Sequence, residues 1–371
     1  MAASRSVLWE VNHDFDYWKN IFLASGPLLI RMVSRYDPVQ DQQTLLGERH
    51  MATSNGEQVI AIEEHYWDPE LTPHVAEEDR GGAGVMQAKL EDLFDARIAE
   101  MDATGVDIQV LSHGAPSTQR LEPATAAEVT RATNDRLRDI VAQRPDRFAA
   151  FANLPTPDPA ACADELTRCV NELGFKGAMI HGLTHGVFFD DERFWPVFER
   201  AQALDVPLYM HPAVPDKTVV ERYYEPYVED FPSLLSAGWG FTVETATQGI
   251  RIVLSGVLEK YPDCNIILGH LGEGLPFLLW RIDHALSRPG NKSLSFREVF
   301  SRNFHITTSG NFSDPALMCS IAEMGADRIL FSVDYPFVPN APGMDWIERV
   351  HLNAEDKAKI LNGNAKRLLK L

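Results

Sequence analysis

Residues 59–65, VIAIEEH, decide how the rest of the chain is read. Four apolar residues run straight into two carboxylates and an imidazole. A short, unbroken apolar run fits a strand buried on both faces, as in parallel sheets. Side chains at i and i+2 of a strand share a side, so Glu63 and His65 face together and Glu64 points away. The same apolar grammar returns in DIQVLSH (107–113), RFAAFANLP (147–155), GAMIHG (177–182), PLYMHP (207–212), NIILGHLGE (265–273), FHITTSG (304–310) and RILFSVDYP (328–336). Amphipathic stretches follow each one, over roughly 88–103, 123–143, 158–173, 191–203, 233–259, 274–287, 314–324 and 354–369. Repeated β-then-α units require parallel strands with right-handed crossovers. Eight of them predict an α/β chain folded as a (β/α)8 TIM barrel. An open doubly wound sheet fits less well, because such sheets place a Gly-rich phosphate turn where Glu63-Glu64-His65 stands.

Bulk properties narrow the function. The chain has 371 residues, 45% hydrophobic, with a formal charge of −19. So acidic a surface argues against nucleic acid or an anionic membrane as partner, while a local cation could still draw in a small anion. The apolar stretch at 21–33 holds Gly26, Pro27 and Arg31 and is too short to span a bilayer. Four cysteines (162, 169, 264 and 319) form no C-x-x-C pair and read as buried thiols of a cytoplasmic protein. The barrel is expected over 57–371, and residues 1–56 are an irregular extension, with MATSNGEQVI at 51–60 resembling a second beginning. The segment VPDKTVVERYYEPYVEDF (214–231) is long for a βα loop and is a candidate lid or pocket wall.

Barrel enzymes carry their chemistry at the carboxyl ends of the strands. Glu63 and His65, His113, His181, His211, His270 and Asp334 all fall there, taking up five of the twelve histidines. Each alone would be an ordinary rim residue. Together they are a candidate site. Carboxylate and imidazole suit a divalent ion such as Zn2+ or Mn2+, and His211 and Asp334 could complete a shell begun by Glu63 and His65. His270 and Glu273 in GHLGEGLP (269–276) could pair for acid–base work, or Glu273 could simply favour a helix start. Arg281 is either a neighbour of Asp283 on a solvated face or a carboxylate-binding group. His113 sits within a turn-like SHGAPS (112–117), and His305 opens strand seven at the opposite face, where a structural role is expected.

The motifs AIEEH, YMHP, NIILGHLGEGLP, FHITTSGNF and DRILFSVDYPF, in that order, resemble the amidohydrolase-2 branch of the amidohydrolase superfamily, within it the metal-dependent aromatic acid decarboxylases. The resemblance runs from about Val59 to Leu371. It implies one divalent metal held by Glu63, His65, His211 and Asp334, with Asp334, His270 and Glu273 catalytic. It also implies that Arg281 reaches a substrate carboxylate, in its own subunit or a neighbouring one, and that His181 meets substrate where dihydroxybenzoate decarboxylases tend to carry Asn. Hydrolytic members usually begin His-x-His, so Glu63-x-His65 favours non-oxidative decarboxylation of a hydroxylated aromatic acid. Hydrolysis of a lactone or amide by metal-activated water is the alternative. The implied partners are a small aromatic carboxylate and further copies of the chain, as homodimer or homotetramer. Lys176 precedes strand four and is not expected to serve as a carbamylated ligand.

Overall fold

The computed structural model describes residues 58–76 and 86–371, within a compact unit spanning Thr53–Leu371. The expected extension over 1–56 lies outside the described residues. Eight strands occur where the apolar runs predict them: β1 (Ile60–Tyr66), β2 (Ile108–His113), β3 (Phe148–Ala150), β4 (Ala178–His181), β5 (Leu208–His211), β6 (Ile266–Leu268), β7 (Phe304–Thr307) and β8 (Ile329–Leu330). All pairings are parallel, in chain order, in two sheets: β1-β2-β3 and β4-β5-β6-β7-β8. This is the strand succession of a (β/α)8 fold, with the regular ladder interrupted at two seams.

The first seam is stitched by backbone alone. Ala152 N donates to Gly177 O at 2.9 Å, and Met179 N to Ala152 O at 3.1 Å. The second seam, between β8 and β1, uses side chains as well as backbone. His65 N donates to Tyr335 O at 2.6 Å and Glu63 N to Ser332 Oγ at 2.6 Å. Glu64, the residue that points away from its two neighbours, then spans the gap. Its fully buried carboxylate accepts from Ser332 Oγ, Val333 N and Tyr335 N, each at 3.0 Å. Burial pushes the Glu64 carboxyl up to about 8, against the pull of those three donors.

Alternate residues of the strands fill the interior: Ile60 and Ile62, Val110, Phe151, Met179, Tyr209, Ile267 and Leu330 form one apolar cluster. Residues of the opposite parity, such as Ala61, Leu111, Ile180, Met210 and Ile306, join the larger cluster under the helices. The principal helices are α1 (Asp95–Thr104), α2 (Pro123–Gln143), α3 (Pro159–Asn171), α4 (Trp195–Leu204), α5 (Gly240–Ser255), α6 (Leu275–Leu286), α7 (Phe296–Asn303), α8 (Asp314–Met324), α9 (Asn340–Arg349) and α10 (Asn364–Leu369). Their starts follow local chemistry. Proline occupies the first turn of α2, α3 and α4, and Asp158 caps α3 through Ala161 N.

Two of these helices, α7 and α9, differ from the sequence expectation. Ser295 caps α7 by accepting from Glu298 N, and α9 tolerates Pro342 because first-turn amides need no helical acceptor. The expected helix over 233–259 breaks at Gly256, whose φ of +88° ends α5. Segment 214–231 folds into short helical pieces that leave Tyr223, Tyr227 and Phe231 exposed. Its start is tethered by Glu244 of α5, which accepts from Asp216 N at 3.2 Å. All four cysteines are free thiols, and among the described residues no helix is long and apolar enough to cross a membrane. Lys176 Nζ donates to Lys370 O, outside the rim cluster.

Removing the Glu64 carboxylate would strand three buried donors. At about 1–3 kcal/mol for each unsatisfied group, with partial relaxation, Glu64→Ala is expected to lower stability by ~3 kcal/mol or more. Urea unfolding followed by circular dichroism measures it; an unchanged midpoint would show that the seam does not depend on this side chain.

Candidate metal centre

Four ligand-bearing side chains converge at the strand ends. One donor atom from each of Glu63, His65, His211 and Asp334 lies within 4.8 Å of all the others. Bonds of about 2.0–2.2 Å place opposed ligand atoms about 4.0–4.4 Å apart, so one ion fits with slight contraction. Glu63 Oε1, His65 Nε2 and Asp334 Oδ1 are buried atoms with no hydrogen-bond partner. Native interiors rarely leave such groups unmet, and a cation would satisfy all three.

The surrounding residues aim these atoms. Glu63 turns its other oxygen, Oε2, into a nest of hydroxyls from Tyr209, Ser309 and Thr307, the last at 3.2 Å. That leaves Oε1 free, 3.4 Å from His211 Nε2. His211 Nδ1 donates to Pro212 O at 2.7 Å, which fixes the tautomer with a lone pair on Nε2. Ser112 Oγ contacts His65 Nδ1 at 3.2 Å, leaving His65 Nε2 facing Asp334 Oδ1 at 3.2 Å. The His65 and His211 rings meet edge to face, centroids 4.5 Å apart.

A second arm approaches from β6. His270 Nδ1 lies 2.8 Å from Glu273 Oε1, and His270 Nε2 is 3.8 Å from Asp334 Oδ2. Thr242 Oγ1 of α5 donates to the other Glu273 oxygen at 2.8 Å. The pairing suggested by the i, i+3 spacing is therefore present, and Thr242 backs it from a helix the sequence reading left out of the site. His270, Leu271, Glu273 and Asp334 all have positive φ, between +50° and +77°. Non-glycine residues rarely adopt this region, and such strain concentrates at functional sites. Gly269 explains the Gly in front of His270: a Cβ there would lie 2.9 Å from Glu63 Oε2.

Electrostatics sort the groups. Burial raises the Glu63 carboxyl, with the neighbouring histidines pulling the other way. Burial holds His211 and His181 well below the ordinary imidazole value, and the nearby histidines push the same way. Burial would also lower His270, but Glu273, Glu63 and Asp334 outweigh it and hold that imidazole well above its usual range. Asp334 moves down: burial raises it, but the adjacent imidazoles of His270 and His65 outweigh that. These shifts favour a protonated His270 beside an ionised Asp334.

The remaining candidates take different places. His181 is buried with Nδ1 3.0 Å from His211 Nδ1, and its Nε2 has no partner. His113 is buried behind the rim, donating from Nδ1 to Gly114 O at 2.8 Å, and burial pushes it down to about 4. It is not in the four-residue group. Arg281 lies outside the cluster, on the exposed face of α6, beside Phe277 and Trp280, which are 80% and 62% exposed.

A (β/α)8 fold with carboxylate and imidazole ligands at its strand ends defines a metal-dependent barrel enzyme. The Amidohydrolase family profile matches residues 60–371, and the chain belongs to that family. It is 41% identical to a gamma-resorcylate decarboxylase of Rhizobium sp. (strain MTP-10005) over 325 residues, covering 84% of this chain and 98% of the relative. A dihydroxybenzoic acid decarboxylase of Polaromonas sp. JS666, solved with bound manganese and the inhibitor 2-nitroresorcinol, superposes with a TM-score of 0.77 at 40% identity. The match covers 85% of this chain and 97% of that one. The 5-carboxyvanillate decarboxylase of Sphingomonas paucimobilis gives 0.78 at 33% identity, over 85% and 100% of the two chains.

Gly269→Ala should push the Glu63 carboxylate off its position without replacing any of the four side chains. Metal affinity is expected to fall about 10–100-fold, as for other changes just behind a metal's ligands. Titration of the metal-free protein with Mn2+ or Zn2+ measures this, and wild-type affinity in the variant would refute the close-approach argument.

Proposed function

We propose that this chain is a metal-dependent, non-oxidative decarboxylase of a hydroxylated aromatic carboxylic acid of the 2-hydroxybenzoate type, with 2,6-dihydroxybenzoate the first candidate. The observation that carries the reading is Asp334. One oxygen faces the ligand group and the other faces the His270–Glu273 pair, so a single carboxylate borders both the cation site and a proton-handling pair. The relatives are decarboxylases, which favours this reading over hydrolysis.

Glu63, His65, His211 and Asp334 would hold one divalent ion, Mn2+ or Zn2+; manganese is the ion in the Polaromonas structure. When bound, it would supply the positive charge that fixes the substrate carboxylate and its ortho oxygen. Asp334 delivers the proton. His65 and His270 keep it ionised in the resting site, so it first takes a proton from the substrate phenol. It passes this proton to the ring carbon bearing the carboxylate. The bond to the carboxylate then breaks, its electron pair restores the aromatic ring, and CO2 leaves. His270, kept cationic by Glu273, stabilises the phenolate oxygen formed. His181, with an unpartnered Nε2, is available to a ring substituent. Residues 57–371 suffice as the catalytic unit, and four free thiols suit a cytoplasmic protein.

Arg281 serves a second copy. Its helix exposes Phe277, Leu278 and Trp280 together, an apolar face that suits a contact between subunits of a dimer or tetramer. Packed there, Arg281 would lie at the neighbour's site rather than its own and pair with the substrate carboxylate.

Asp334→Asn is expected to reduce CO2 release by at least about 10²–10⁴-fold with the fold retained. In D2O the wild-type product should carry one deuterium on the former carboxyl carbon. Turnover that incorporates 18O from water into product, without CO2, would establish hydrolysis instead. Arg281→Ala should raise KM about tenfold or more while metal content stays unchanged; parallel loss of metal and substrate binding would place Arg281 in the fold rather than at the substrate.

A further inference from the structure

The opposite end of the barrel carries a second gathering of charge. Asp205, Asn265, His305, Asp327, Arg328 and Arg367 line a cavity of about 500 Å3 where β5 to β8 begin. Both aspartates already have lysine partners. Asp205 pairs with Lys370 at 2.8 Å, and Asp327 with Lys359 at 3.4 Å, a lysine it shares with Glu355 and Asp356. The two guanidiniums have neutral partners instead. Arg328 donates to His305 Nε2 at 3.3 Å, and Arg367 to Asp327 O and Asn364 Oδ1, each at 2.8 Å. Among the described residues neither is ion-paired to a carboxylate. Burial and repulsion from Arg367 lower the Arg328 pKa, with Asp327 opposing.

His305 adds no charge and steadies Arg328. It is 5% exposed, and burial with the two arginines pushes it down to about 3, so it is neutral. Because Nε2 accepts from Arg328, the hydrogen sits on Nδ1, which is buried without a partner. Two guanidinium forks lining one recess can supply the donors of an oxyanion site. The chain as a whole carries −19, so its general field would not draw an anion there, and the attraction must be local.

We propose that this amino-terminal mouth binds a small dianionic oxyanion, a phosphate or dicarboxylate, between Arg328 and Arg367, with His305 holding Arg328 through Nε2. The charge of the pair matches a dianion, and the cavity has room for a small organic group attached to it. The site is separate from the metal centre, which stands at the other ends of the same strands: His305 opens β7 and Arg328 immediately precedes β8, whereas Ser309 and Asp334 follow them.

The test is calorimetric titration of the full-length, metal-loaded protein with inorganic phosphate and, separately, with succinate, at fixed ionic strength in chloride. One saturable site per chain is expected. Arg367→Ala changes an exposed residue and should weaken binding at least about tenfold. Arg367→Lys, which keeps the charge without the fork, should fall between. Asp334→Asn should leave the affinity within about twofold, since that residue belongs to the metal centre. Whichever anion binds more tightly identifies the source. No saturable binding of either anion would overturn the proposal. So would loss in Asp334→Asn with Arg367→Ala unchanged, because the anion would then be occupying the metal centre.

Discussion

The active end of this barrel rests on one buried carboxylate. Glu64 reaches from the first strand to Ser332, Val333 and Tyr335 beyond the last, where no regular ladder joins the two. Those residues flank Asp334. The bonds that close the seam therefore also set the distance from Asp334 to Glu63 and His65, some 270 residues away in sequence. An ordinary strand pair would hold the backbone as well but would leave Asp334 inside a regular strand. The side-chain seam lets the chain turn there, with Asp334 at φ +77° and its carboxylate at the mouth.

The charge arrangement around that mouth suits a bound cation. Burial raises Glu63 and lowers His211, so each group resists the charge it would carry alone in an apolar interior. A divalent ion reverses the balance for all the ligands together. The hydroxyl nest on Glu63 Oε2 and the carbonyl on His211 Nδ1 occupy the far side of each ligand in advance. Ligand direction is thus set by ordinary hydrogen bonds, and the ion need not organise its own site. The His270–Glu273–Thr242 line does the same for the imidazole beside Asp334, held by left-handed residues that a regular helix would not permit.

The eight strands, and the rim on which Glu63, His65, His211, His270 and Asp334 stand, were legible because apolar runs and their terminal polar residues are local in sequence. The strands are shorter than their apolar runs: β6 ends at Leu268 and β8 at Leu330. Past those points the chain turns to carry side chains into the site, and hydrophobicity does not register a turn made of buried residues. Helices α7 and α9 escaped notice for a related reason. They are short, and Pro342 and Gly343 interrupt the apolar periodicity of α9, although the first turn of a helix accommodates them.

The sequence by itself determined the fold class, the strand order, the carboxylate and imidazole types gathered at the rim and the i, i+2 and i, i+3 pairs, since these depend on periodicity along one segment. Tertiary structure decided what depends on distance across segments. It made Glu64 a seam residue, not a bystander, put Thr242 behind Glu273 and Gly269 against Glu63, and left Arg281 on the outer face of its helix. Those outcomes turn on which atoms meet after the chain closes on itself, and no spacing within a strand or helix encodes that meeting.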